Sequence, residues 1–220
     1  MKKAVLISLF LCSSSALAAP YVGVQYGIAN VSTDETMIFV DDQVSLTPDG
    51  SSETFGAFVG YHISNTFALE FGYNHYQVDQ SKEIFNGIVS HNFGGQTLDA
   101  LHETEWDADM VSDQLYIMPT WSHTMNDKWQ LTLGLGLTYS QYRFDGHSTN
   151  EFEAIINDDI EQSVLRSTLD ESKEDALGGM AKVGVNYFIV PQWQVGLSAH
   201  YQADNIASAA QLALVTSYHF

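Results

Sequence analysis

Two opposite charges stand in segments that are otherwise almost free of charge. Glu70 lies in the alternating stretch from Thr66 to Val78 and shares the parity of Gly72 and Asn74. Lys182 lies in a second such stretch, Leu177 to Phe188, and shares the parity of Met180, Gly184 and Asn186. Alternate residues of a strand point to one side. An unpaired charge on an enclosed side is costly, whereas a paired one is tolerated. The spacing therefore predicts a Glu70–Lys182 ion pair, which His62, His200 or His219 could extend. Such a pair can act as a structural plug or as a gate across a narrow passage.

Other groups invite chemistry with less definition. Carboxylates gather at Asp41-Asp42, at Glu103, Glu105, Asp107 and Asp109, and in Asp158-Asp159-Ile160-Glu161. Clustered hard oxygens can bind calcium, yet no EF-hand spacing is present, and a solvated acidic surface is the simpler reading. His75, His91, His102 and His147 lie in or beside the same stretches. A hydrolytic arrangement would need a nucleophile, and no G-x-S-x-G motif occurs. No catalysis, no cofactor and no metal site is expected.

The elements that must position these residues follow from period-two patterning. The clearest runs from Trp129 to Tyr142, with Trp129, Leu131, Leu133, Leu135, Leu137 and Tyr139 on one face and Gln130, Thr132, Gly134, Gly136, Thr138 and Ser140 on the other. An apolar run bracketed by aromatics suits a strand that faces lipid. Seven more segments repeat the rule: 21–32, 54–63, 66–78, 112–123, 177–188, 193–202 and the terminal stretch. Their other faces are rich in Gly, Ser, Thr, Asn and Gln, which suits a narrow barrel interior. Pro119 inside the fourth removes a ladder hydrogen bond and predicts a local bulge or a weakened wall.

Connections alternate in length. Ser64-Asn65, 124–128 and 189–192 are short; 33–52, 79–111 and 145–176 are long. In bacterial barrels the short turns are periplasmic and the long loops external. Both termini are then periplasmic, and Trp121, Trp129 and Trp193, beside the short turns, form a periplasmic aromatic girdle. Phe152, Ile155 and Ile156 among Glu151, Glu153 and Asp158 suggest a short amphipathic helix in the third long segment, or a concealed hairpin that would make ten strands.

Charge is segregated in the same way. All but four of the 27 acidic residues fall within 33–52, 79–113 and 145–176, and the formal net charge is −19. That sign disfavours nucleic acid as a partner. At the front, Lys2 and Lys3, the apolar run Ala4 to Cys12 and Ala16-Leu17-Ala18 read as a cleaved secretory signal over 1–18, leaving a mature domain of 19–220. Cys12 is the only cysteine, so the mature chain has no thiol chemistry. No stretch offers about 20 consecutive apolar residues for a membrane helix, and a closed barrel is the other structure that can span lipid. At the far end, Leu212, Leu214, Tyr218 and Phe220 share one face of an alternating strand that stops at an aromatic.

Together Ala16-Leu17-Ala18, Tyr21-Val22-Gly23-Val24-Gln25-Tyr26-Gly27, Phe55-Gly56-Ala57-Phe58-Val59-Gly60-Tyr61 and Tyr218-His219-Phe220 resemble the small eight-stranded outer-membrane barrels of the OmpA and OmpX type. Length and the lack of a following periplasmic domain also resemble the accessory colonisation factor A group of vibrios. The resemblance implies an all-β, antiparallel up-and-down barrel in the outer membrane of a Gram-negative bacterium, monomeric and surrounded by lipid and lipopolysaccharide. It implies that Leu214, Tyr218 and Phe220 form the signal read by the barrel assembly machinery, with periplasmic chaperones as earlier partners. It further implies roles in adhesion, colonisation or envelope integrity through external loops that meet a host or extracellular ligand. A narrow channel for small or apolar solutes is the second reading, and a lipid-modifying enzyme the third. Divalent ions bridging the acidic loops to lipopolysaccharide phosphates are a further possibility.

Overall fold

The computed structural model describes residues 19–157 and 159–220; residues 1–18, where the sequence leads one to expect a secretory signal, and Asp158 of the acidic run lie outside the described residues. Ten strands follow one another: β1 (Pro20–Thr33), β2 (Met37–Phe39), β3 (Val44–Leu46), β4 (Gly50–His62), β5 (Phe67–Phe93), β6 (Gln96–Thr124), β7 (Trp129–Ala154), β8 (Glu161–Val190), β9 (Trp193–Ala203) and β10 (Ala207–His219). Eight of them close into a ring in the order β1-β10-β9-β8-β7-β6-β5-β4, and β2-β3 form a separate hairpin. All neighbours in the ring are antiparallel. The count of eight agrees with the sequence; the additional hairpin sits in the first long segment, not the third.

Alternation decides what each strand buries. On β10, Gln211, Ala213, Val215 and Ser217 are buried inside, while Leu212, Leu214 and Tyr218 are exposed on the outer wall. β7 repeats this with Thr132, Gly134, Thr138 and Ser140 inside and Leu133, Leu135, Leu137 and Tyr139 outside. An exposed leucine belt is unfavourable in water and satisfied in hydrocarbon. Small and polar residues fill the narrow interior.

The long segments depart from the expectation of loops. β5, β6, β7 and β8 continue far beyond their partners as one antiparallel sheet. β4 leaves β5 at the pair Thr54↔Tyr76, whereas β5 and β6 stay paired up to Phe93↔Gln96. β9 leaves β8 at Ala203↔Gly179, whereas β7 and β8 stay paired up to Glu153↔Glu161. Cross-strand hydrogen bonding continues there because each strand keeps a neighbour of equal length, and polar side chains suit a sheet that water bathes. The amphipathic helix is not formed: Phe152 belongs to β7, and Ile155 and Ile156 lie in the turn after it. Pro119 makes no bulge. Pairing lapses at Met118 and Pro119 but resumes in the same register, from Ile117↔Leu137 to Thr120↔Gly134.

The β2-β3 hairpin folds over the mouth of the barrel on the inner face of this extension. Phe39, Val44 and Leu46 pack on Trp106 and Ala108 of β6, with Met37 and Leu169 alongside. Asp42, at the hairpin turn, accepts a hydrogen bond from Trp106 Nε1 at 2.9 Å and pairs with Arg166 at 2.6 Å.

Candidate functional site

The inward parity of β5 and β8 places Glu70 and Lys182 at one depth of the lumen. Lys182 Nζ lies 2.8 Å from Glu70 Oε1 and 3.1 Å from Oε2. Both side chains are almost fully buried. The carboxylate also accepts hydrogen bonds from Tyr116 Oη at 2.8 Å and Tyr21 Oη at 3.3 Å. The ammonium lies over the Phe58 ring, 4.9 Å from its centroid. Thus each charge has several partners, the condition under which a buried pair is tolerated. Close approach of backbone makes room for it. A Cβ at Gly60 would overlap the Tyr21 ring, and one at Gly72 the Tyr116 ring.

The three histidines divide. His62 Nε2 and His219 Nδ1 are 3.3 Å apart and meet the pair only through Tyr21, whose ring stacks on His219 at 4.9 Å. His200 lies opposite Lys182 on β9, and neither of its ring nitrogens has a hydrogen-bond partner among the described residues. A cavity of about 30 Å³ touches Glu70, Lys182, Ser198, Gln194 and His219 at the short-turn end. That volume suffices for one or two waters.

Above the pair the lumen is filled in layers. Gln25 Nε2 donates to Asn74 at 2.6 Å, Asn74 Nδ2 to Gln114 at 3.3 Å, and Gln114 Nε2 to Ser140 at 3.1 Å. Higher still, Tyr76, Tyr142, Met110, Phe144 and Val78 form an apolar plug. The Tyr142 hydroxyl accepts from Gln202 at 3.2 Å and donates to Asp204 at 2.8 Å.

The extension carries the clustered acids on its outer face. There, Asp79, Asp109 and Asp145 lie side by side across β5, β6 and β7. Glu83 faces Glu105, and Glu103 faces Glu151. Like charges directly opposed are unfavourable. The Glu103 carboxyl is accordingly raised above its ordinary pKa, first by a hydrogen bond with Glu83 and further by the charges of Glu83, Glu153 and Glu151. Glu105 is raised by burial and by Asp107, Glu151 and Glu83. Asp109 is raised by burial and by Asp145, Asp79 and Asp107. Among the described residues, no three such side chains converge in a way that could hold a metal ion.

The remaining candidates are dispersed. His75 Nδ1 lies 2.9 Å from Asp113 on the outer wall, and His147 lies 3.4 Å from Asp107. His91 and His102 stack on opposite sides of Phe152 at 3.9 and 4.6 Å on the inner face of the extension. Trp121, Trp129 and Trp193 are exposed on the outer wall at the short-turn end. Leu214 and Tyr218 lie on the same wall, and the Phe220 amide closes the ring by donating to Pro20 O at 3.0 Å. Tyr21, Tyr116 and Trp106 were not singled out as site residues in the sequence, and Asp42 was singled out only as part of an acidic cluster. Parity alone places Tyr21 and Tyr116 inside; nothing local announces the contact between Asp42 and Trp106.

The model of the outer membrane protein beta-barrel domain family matches residues 4–220. No curated protein matches the chain in sequence. Among solved structures, OprG of Pseudomonas aeruginosa is 14% identical with a TM-score of 0.51, over 93% of this chain and 97% of that one. Neisserial surface protein A is 13% identical with a TM-score of 0.49, over 92% and 99%. Ail of Yersinia pestis is 11% identical with a TM-score of 0.48, over 93% and 99%. At such identities the likeness speaks to fold alone. The eight-stranded ring, its lipid-facing belt and the family match over nearly the whole length carry one conclusion: the chain belongs to the outer membrane protein β-barrel family and resides in the outer membrane.

Proposed function

We propose that this chain is a closed, monomeric barrel whose work is done outside the cell by the sheet that β5 to β8 raise above the membrane. The observation that carries this reading is the continuation of four strands as ordered β-structure far beyond the last pairs made by β4 and β9. Ordered, charged structure of that size above a filled lumen supports display rather than transport. The termini and short turns are then periplasmic, and the extension meets an extracellular ligand. Catalysis has no place in this reading. The histidine–carboxylate contact His75–Asp113 on the outer wall is shared with the Tyr73 hydroxyl, which donates to the same carboxylate oxygen and is thereby tied up in a structural hydrogen bond.

The test is single-channel conductance of the refolded protein in a planar bilayer, with heat-modifiable migration as proof of folding. A silent membrane is expected; stable openings of the unmodified protein would overturn the reading. The second reading, a narrow channel, is favoured by the unpartnered polar groups of His200, Ser198 and Gln211 beside Lys182. It requires Lys182→Ala to raise conductance, and unchanged insulation would remove it.

A further inference from the structure

Two histidines far apart in sequence meet at the short-turn end of the barrel. His62 is the last residue of β4 and His219 the last of β10, and β1 lies between those strands in the ring. His62 Nε2 and His219 Nδ1 stand 3.3 Å apart. The luminal ion pair does not require them, since Glu70 is satisfied by Lys182, Tyr116 and Tyr21.

That spacing suits a metal ion as well as a hydrogen bond. Zinc–imidazole bonds of about 2.0–2.1 Å at a tetrahedral angle set two ligand nitrogens about 3.3–3.4 Å apart. The fold holds the two imidazoles at that separation. The Tyr21 ring packs against both, its centroid 5.0 Å from that of His62 and 4.9 Å from that of His219. The backbone is fixed on either side: His62 N donates to Ala19 O at 3.1 Å, and His219 N to Gln192 O at 2.7 Å. The far nitrogen of His219, Nε2, lies 3.3 Å from Ser217 Oγ, which also accepts from Gln194 Nε2 at 2.8 Å. A contact of this kind at the far nitrogen orients an imidazole ligand and sets its tautomer.

Space for further ligands lies next to the pair. The cavity of about 30 Å³ is lined by both histidines and by Gln194 and Ser198. Gln194 Oε1 and Ser198 Oγ are buried and have no hydrogen-bond partner among the described residues. Buried polar atoms without partners are uncommon and call for an explanation. Metal-bound water in the cavity would donate to both.

We propose that His62 and His219 form a binding site for a divalent transition metal ion of the zinc class, with water from this cavity completing a tetrahedral shell. Each imidazole gives one lone pair, and His219 Nε2 keeps its proton and donates it to Ser217 Oγ. The ion joins β4 to β10 across β1 and clips the strand ends at the mouth. Imidazole selects such an ion over calcium and magnesium, which take oxygen ligands. Two protein ligands bind more weakly than the four of a structural zinc site, so occupancy follows the metal supply around the mouth. The site lies at the end of the barrel opposite the displayed sheet, and the display reading does not bear on it.

The folded protein in detergent, free of any histidine tag and stripped of metal with a chelator, is titrated with zinc chloride. One saturable site is expected, which excess magnesium chloride does not displace. Cobalt chloride in its place should give the intense visible absorption of tetrahedral coordination. In NMR of the unsubstituted protein with nitrogen-labelled histidine, zinc should shift the ring nitrogens of two histidines. Amide exchange should slow at 19–22, 60–62 and 217–219. His62→Gln and His219→Gln should each weaken zinc binding at least tenfold, with heat-modifiable migration showing that the barrel still folds. His75→Gln and His147→Gln remove the histidines that lie beside carboxylates on the outer surface and should leave the affinity unchanged. Absence of saturable binding overturns the proposal, as does binding that survives loss of both His62 and His219. Either result leaves the contact as a hydrogen bond between two imidazoles.

Discussion

At the scale of single residues, the lumen turns on Glu70 and its partners. Lys182, Tyr116 and Tyr21 together satisfy both carboxylate oxygens. Removing one charge leaves the other buried and uncompensated, which costs about 3–5 kcal/mol. Glu70→Gln and Lys182→Met should each lose about that much in urea unfolding from lipid vesicles. The double variant should recover most of the loss, because no uncompensated charge remains: the amide oxygen accepts from one tyrosine and the amide nitrogen can donate to the hydroxyl oxygen of the other. Single-variant losses near zero would show the pair to be solvated and the lumen open. The pairing itself was legible in the sequence, since two isolated charges of inward parity have few places to go. The tyrosine hydroxyls share that parity but nothing local marks them as donors to Glu70. Their selection depends on the depth at which β1 and β6 pass β5, and register sets that.

At the scale of elements, the hairpin and the extension depend on each other. Asp42 is the contact that joins them, through Trp106 Nε1 and Arg166. Asp42→Ala leaves both donors without that acceptor, and a lost hydrogen bond to a charged group costs about 1.5–3 kcal/mol. Limited proteolysis should then cut between 40 and 43 several-fold faster, with the barrel fragment intact. An unchanged cleavage rate would mean that the apolar packing of Phe39, Val44 and Leu46 suffices. The acidic rows add a pH response. Glu103, Glu105 and Asp109 bind protons more tightly in the folded sheet than in an unfolded chain. Their contribution to stability is thus present at low pH and is lost as pH rises through their raised pKa values. Glu171, held below its ordinary value by Lys173, contributes the opposite sign on β8. Amide exchange in 79–109, corrected for its intrinsic rate, should therefore be slower near pH ~5 than near pH ~7. Glu103→Gln should flatten that trend, and a trend of the opposite sign would refute the assignment.

At the scale of the whole molecule, assembly and stability separate. Phe220 is exposed at the outer wall with 68% of its surface free, and its backbone amide rather than its ring closes the seam with Pro20. Phe220→Ala should lower in-vitro urea stability by no more than the ~1.5–3 kcal/mol of taking a Phe side chain from lipid to water. If the terminal aromatic is read by assembly machinery, the same variant should accumulate unfolded in cells. Loss of stability in vitro matching the loss in cells would assign Phe220 a packing role instead.

The amino-acid sequence by itself determined the solvent, the strand count and the parity of nearly every spanning residue. Period-two alternation needs only neighbours on the same strand, and a lipid-facing leucine run such as Leu131 to Tyr139 reads the same before and after folding. It did not determine the state of 79–111 and 145–176. Their outer positions, Glu103, Glu105, Asp107 and Asp109, alternate with Thr104, Trp106 and Ala108, but polar alternation alone does not separate a sheet from a solvated loop. That choice was made by strand pairing, since β5 to β8 are ordered by one another's backbone. Likewise only the tertiary structure brought Asp42 to Trp106 and left the β5 edge bare, because both follow from where one strand stops and its neighbour continues.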